Sequence, residues 1–80
     1  MSDNEIRQII RNHLIECRTN ANLTQKEVGE IIGKSSNAVA SWEQGLSLPD
    51  IETLYRLTKY YGKTLNYMYG VEDSDTNSEK

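Results

Sequence analysis

Between Leu23 and Gly45 the chain reads LTQKEVGEIIGKSSNAVASWEQG, and this stretch limits the fold more than any other. Its local signals specify two short helices joined by a tight turn. Thr24 stands where a helix N-cap belongs, and Glu27, three residues on, completes a capping box in which side chains and backbone bond reciprocally. The helix that follows puts Val28 and Ile32 on one face and stops near Gly33. Ser35 caps the second helix, which carries Val39 and Trp42 inward and leaves at Gly45, a residue suited to a left-handed exit. The rest of the chain reads as scaffolding for this pair.

Upstream, Ile6, Ile9, Ile10, Leu14 and Cys17 recur with a helical period from Glu5 to about Thr19, with Arg7, Arg11, Glu16 and Arg18 interleaved. Ser2 or Asp3 is the expected cap of this first helix, and Asn22 suits a left-handed residue in the loop after it. Downstream, Leu46 to Pro49 forms a connector and Asp50 caps a fourth helix over Ile51 to Tyr61. Its inward face is read as Ile51, Leu54, Tyr55, Leu57, Thr58 and Tyr61, with Glu52, Arg56 and Lys59 toward water. Gly62 ends it. Thr64 caps a last short helix, Leu65 to Tyr69, which Gly70 closes. No stretch alternates as a strand, so the expected fold is all-α, a compact five-helix domain over residues 1–70. The run EDSDTNSEK that follows is polar and acidic, and residues 71–80 are expected to be a disordered tail or a linker.

Composition removes several function classes. Cys17 is the lone cysteine and His13 the lone histidine, so neither an intramolecular disulfide nor a zinc set is available, and Cys17 sits on an apolar face as core filler. No apolar run has the length of a membrane span, and the opening MSDNEIRQ lacks the pattern of a signal peptide, so a cytoplasmic protein is expected. There is no paired acid–base constellation, no nucleophile with a histidine partner and no glycine-rich phosphate loop. No catalytic residue, metal, cofactor or small-molecule substrate is therefore expected. The chain holds 9 basic and 12 acidic residues, but four of the acids (Glu72, Asp73, Asp75, Glu79) lie beyond Val71, and residues 1–70 carry eight of each sign. A neutral domain lacks the positive field that drives non-specific nucleic-acid binding.

Two helices of this size around a glycine-containing turn are the helix-turn-helix signature. With LSLPDIETLYRLTKYYG and TLNYMYG following in order and at family spacing, the chain resembles the Cro/phage-repressor (Xre) type of helix-turn-helix protein over roughly Ile6 to Gly70. The resemblance implies a lambda-repressor-like DNA-binding domain, its helix-turn-helix at 24–44, with the third helix in the major groove of double-stranded DNA. The spacing agrees: with Val39 and Trp42 inward, Ser36, Asn37 and Ser41 point outward, and they are short, neutral and polar where an idle surface usually carries Lys and Glu. Asn37 can pair with adenine N6 and N7, Ser36 and Ser41 can take a base or a phosphate, and Ala38 can touch a thymine methyl. These four are the expected base readers. Gln25, in the first turn of the second helix, Lys34 and Ser35 in the turn, and Gln44 and Ser47 past the third helix are the expected phosphate contacts. The resemblance also implies a partly buried structural ion pair between Arg18 and Glu43.

Departures from the family pattern shape the functional expectation. Leu46 stands where Lys or Arg is frequent, and the reading helix has no basic residue, leaving Lys34, Lys26 and Arg11 as nearby cations. Gly29 stands where alanine is usual, permitting close helix approach at a cost of about 1 kcal/mol in helix propensity. Ile15 and Ile31 fall at commonly charged positions and suggest a contact surface. Tyr67, Met68, Tyr69 and Val71 are expected to form a dimer contact. The function expected is a sequence-specific bacterial or phage transcriptional repressor, acting as a homodimer on two half-sites. The alternative is an antitoxin-like or adaptor protein-interaction module with weak DNA affinity.

Overall fold

The capping signals place every helix start downstream of the first. In the computed structural model, which describes residues 3–71, α1 spans Asp3–Asn20, α2 Gln25–Ile32, α3 Ser36–Glu43, α4 Ile51–Tyr61 and α5 Leu65–Met68. The Thr24 hydroxyl accepts from the Glu27 N–H at 3.0 Å while the Glu27 carboxylate accepts from the Thr24 N–H at 2.8 Å, the reciprocal box. Ser35, Asp50 and Thr64 each accept from the N–H three residues on, at 3.1, 2.7 and 3.0 Å. Asn22 takes the left-handed conformation at φ 61° and Gly33 at φ 75°. Asp3 is already the first residue of α1, and Ser2 and the tail beyond Val71 lie outside the described residues.

Ile10, Leu14 and Cys17 of α1, Val28 and Ile32 of α2, Val39 and Trp42 of α3, Leu54 and Leu57 of α4 and Met68 of α5 make one shared core. Helix α2 packs against α3, α1 against α3 and α5, and α4 against α5 and α2. Among the described residues there is no strand.

Two expected core positions lie outside. Ile51 is 76% exposed and Tyr55 51%, while Thr53 is buried in their stead. At about 100° per residue, the arc of Thr53, Leu54, Leu57 and Thr58 leaves Tyr55 on the far side of α4. Ile51 sits at the edge of that arc in the first turn, where no other helix covers it. Ile15 is half-buried, whereas Ile31 is exposed. Gly29 is required by geometry: a Cβ there would stand 2.5 Å from the Lys34 carbonyl oxygen, where the turn passes back over α2.

Candidate nucleic-acid interface

Three arginines of α1 hold the end of α3 in place. The Arg18 guanidinium forks onto the Glu43 carboxylate, Nε to Oε2 at 2.7 Å and Nη2 to Oε1 at 2.9 Å, and its Nη1 donates to the Leu23 carbonyl at 2.9 Å. Glu43 is only 6% exposed, so this is a nearly dry, bidentate pair tying α1, the α1–α2 loop and α3 together. The Glu43 contact holds the Arg18 guanidinium still more firmly in its charged form. Arg11 Nε donates to the Glu43 carbonyl at 2.9 Å, serving a carbonyl that the end of α3 leaves without a helical partner, and Arg7 Nη1 donates to the Leu46 carbonyl at 3.1 Å in the connector that follows. Arg11 therefore acts as a C-cap for α3, and the nearby cations reduce to Lys26 and Lys34.

With its inner side occupied by Val39 and Trp42, α3 presents Ser36 and Asn37 to solvent in its first turn and Gln44 beyond its end. No side-chain hydrogen bond within the described residues engages these three. Ser35 accepts from the Ala38 N–H, leaving its O–H free to donate outward. The Ser41 and Ser47 hydroxyls lie 2.7 Å apart, so α3 and the connector share one hydroxyl pair at the rim of this face. Ala38 is half-buried against the core and presents its methyl only in part.

Beside Ser35 and Ser47, two further expected phosphate contacts, Gln25 and Lys34, have partners within the chain. The Gln25 side-chain amide donates to Glu43 Oε1 at 3.1 Å, so what Gln25 offers outward is its backbone N–H at the free start of α2. Lys34 Nζ lies 3.8 Å from the Asp50 carboxylate, an exposed pair that yields easily to a phosphate. The Asp50 carboxyl is held below the usual carboxylate range chiefly by the Thr53 N–H that it caps. Neither contact leaves a local signal, because Gln25 and Glu43, like Lys34 and Asp50, are far apart along the chain.

The expected dimer group at the chain's end does not stand together at the surface. Met68 is 0% exposed and belongs to the core, which removes it as a contact for a second copy. Tyr67 stacks on His13 with ring centroids 4.4 Å apart, lies under the Lys63 ammonium at 4.7 Å and donates its hydroxyl to Glu16 at 3.1 Å. Tyr69 is half-buried, and Val71 alone of the four is exposed. Tyr67 fastens this short final helix to α1, and Tyr69, just past its end, packs against the core.

An open groove of about 450 Å³ lies between α1, α4 and α5, lined by Cys17, Tyr60, Tyr61, Lys63 and Tyr67 among others. Burial pushes the Cys17 thiol up, which keeps it protonated and unreactive. No helix among the described residues is long and apolar enough to cross a membrane.

The family model described as helix-turn-helix matches residues 14–68. Among curated proteins, the chain is 34% identical over 65 residues to the cryptic phage CTXphi transcriptional repressor RstR of Vibrio cholerae, covering 81% of this chain and 57% of that one. It is 32% identical over 66 residues to the HTH-type transcriptional activator BcrR of Enterococcus faecalis, covering 82% of this chain and 32% of that protein. It is 30% identical over 66 residues to the HTH-type transcriptional regulator ImmR of Bacillus subtilis, covering 82% and 52%. The chain thus spans between about a third and somewhat over half of the length of these relatives. No solved structure matches it.

Proposed function

The chain belongs to the helix-turn-helix family of the Cro/phage-repressor (Xre) type, a family of transcription regulators, and on that premise we propose that it binds double-stranded DNA in a sequence-specific manner and acts as a repressor. Helix α3 enters the major groove with Ser36 and Asn37 against base edges and Ser41 at their margin. Lys34, the Ser35 hydroxyl, the α2 N-terminus at Gln25, and Gln44 and Ser47 hold phosphates on either side.

The observation that carries this reading is the state of the α3 face. Its first turn shows short polar side chains that are exposed and unengaged, while the charged and aromatic residues around it are tied into the structure. A surface with no task has no reason to keep its donors and acceptors so free. Repression follows as the simpler mode, because occupying an operator needs only the domain described, whereas activation needs a further surface toward the transcription machinery. No step of this function calls for catalysis, a cofactor or a small-molecule substrate, and its place is the cytoplasm.

Lys26 and Lys34 are the cations left to neutralise phosphate, so one copy holds DNA weakly. Two copies on half-sites about 34 Å apart supply the missing affinity and read an inverted repeat. Selection of bound sequences from a random DNA pool at low salt tests the reading. It is expected to enrich a short inverted repeat. A pool that stays random would favour the second reading, a protein-interaction module that keeps the fold, which the scarcity of free cations supports.

A further inference from the structure

The groove between α1, α4 and α5 has no part in the DNA reading, and none of the residues assigned to DNA lines it. Three of the chain's five tyrosines, Tyr60, Tyr61 and Tyr67, meet there with Glu16, Cys17 and Lys63. Its volume of about 450 Å³ falls in the range that holds a small organic molecule.

The charges around the groove select the sign of its ligand. Helices α1 and α4 both end at it, α1 at Asn20 and α4 at Tyr61. Each helix end carries about half a negative charge on its last carbonyls. The basic residues of those last turns are directed elsewhere, Arg18 onto Glu43 and Lys59 over the Tyr55 ring. Glu16 adds a carboxylate, while burial keeps the Cys17 thiol protonated and neutral. Lys63 is the one cation among the described lining residues, so without it the walls are negative.

Lys63 also shows how the groove seats a cation. Its ammonium stands 4.7 Å from the centre of the Tyr67 ring, whose negative face attracts positive charge. His13 stacks on the same ring, and the Tyr67 hydroxyl donates to Glu16 at 3.1 Å, so ring and carboxylate are held as a unit. A carboxylate accepts several bonds at once, which leaves Glu16 room for a further donor. Lys63 itself is exposed, in the turn after α4, and a surface contact of this kind is weak. An ammonium from outside can take its place. If that ammonium carries an apolar body, it gains more than Lys63 does, because the body covers Tyr60 and Tyr61. Those two rings meet edge to face with centroids 5.5 Å apart, and Tyr60 is 52% exposed.

We propose that this groove binds a small organic cation, its ammonium group at Tyr67 and Glu16 and its apolar body against Tyr60 and Tyr61. Lys63 is the intramolecular occupant that the ligand displaces. The site goes beyond the DNA reading and does not depend on it.

Three probes that share one ring and differ in charge test the site on the full chain: benzyltrimethylammonium, benzyl alcohol and benzoate. Titration followed by amide NMR into the millimolar range reports both affinity and place. The cation is expected to give saturable shifts centred on residues 16–21 and 60–67. Benzyl alcohol and benzoate should each bind about tenfold more weakly or worse. Glu16→Gln and Tyr60→Ala should each weaken the cation several-fold. Lys63→Ala should tighten it several-fold, because the competing ammonium is gone. Lys59→Ala removes the same net charge outside the groove and should leave the constant unchanged. All four altered side chains are exposed, so far-UV circular dichroism and melting should match the wild type and report any loss of fold. Shifts that are absent or scattered over the surface overturn the proposal. So does benzoate or benzyl alcohol binding as tightly as the cation, or a Lys63→Ala variant that binds it no more tightly. None of these results bears on selection of a DNA motif, and a failed selection would leave the groove's ligand standing.

Discussion

At the scale of single residues, Glu43 has the heaviest structural duty. Its carboxylate receives two hydrogen bonds from Arg18 and one from Gln25 while nearly excluded from water. Glu43→Gln keeps the shape but leaves the Arg18 charge uncompensated, and breaking a buried pair from one side costs on the order of 3–5 kcal/mol. Urea unfolding should show that loss, with the DNA sequence preferred by the remaining folded protein unchanged. The phenols of Tyr61 and Tyr67 are pushed up to about 12, first by loss of water around them and then by the neighbouring Cys17. A phenol whose folded pKa exceeds its ordinary 10 favours the folded state while protonated. That stability is complete below pH 10 and is lost as the pH rises through 12. An absorbance titration of tyrosinate should therefore show late-ionising phenols, with unfolding setting in over the same range, and Tyr61→Phe should remove part of the alkaline loss. Inward Trp42 and Val39 were legible from spacing alone, because three residues apart means one helix face. The partners of Gln25 and Lys34 were not, since a side chain's choice of partner across the fold leaves no mark on its own neighbours in sequence.

Among the elements, the tight α2–α3 turn depends on Gly29 as much as on its caps. Gly29→Ala gains helix propensity of about 1 kcal/mol, but its methyl meets the Lys34 carbonyl oxygen at 2.5 Å. A backbone oxygen cannot swing aside as a side chain can, so the net effect is a loss of about 1–3 kcal/mol, as overpacking commonly costs. Comparison of urea midpoints for the two proteins checks the sign. A more stable alanine variant would contradict the close approach. The starts of α2 through α5 were legible because an N-cap is a local device: Thr24, Ser35, Asp50 and Thr64 each bond three residues ahead. The end of α3 was not, because its cap, Arg11, comes from another helix more than thirty residues upstream. Helix α4 shows the limit of a periodicity argument. The apolar character of Ile51 and Tyr55 suits a core, but the fold leaves their side of the helix uncovered.

For the whole molecule, charge decides how DNA is held. The arginines of α1 are engaged with α3, and α3 itself brings no cation, so each copy neutralises about two phosphates through Lys26 and Lys34. The logarithm of the binding constant should then fall with the logarithm of salt concentration with a slope of about −2 per copy and −4 per dimer. A fluorescence anisotropy titration at several salt concentrations measures it, and a slope near −8 would mean that phosphate contacts outside this face carry the binding. Affinity must come instead from base readout and from pairing of copies, and base readout rests on Asn37. The most direct test repeats the selection from a random DNA pool with Asn37→Ala beside the wild type. The variant is expected to keep the same site but lose its preference at one base pair in each half-site, binding the original sequence about 1–3 kcal/mol more weakly. An unchanged preference at every position would contradict it.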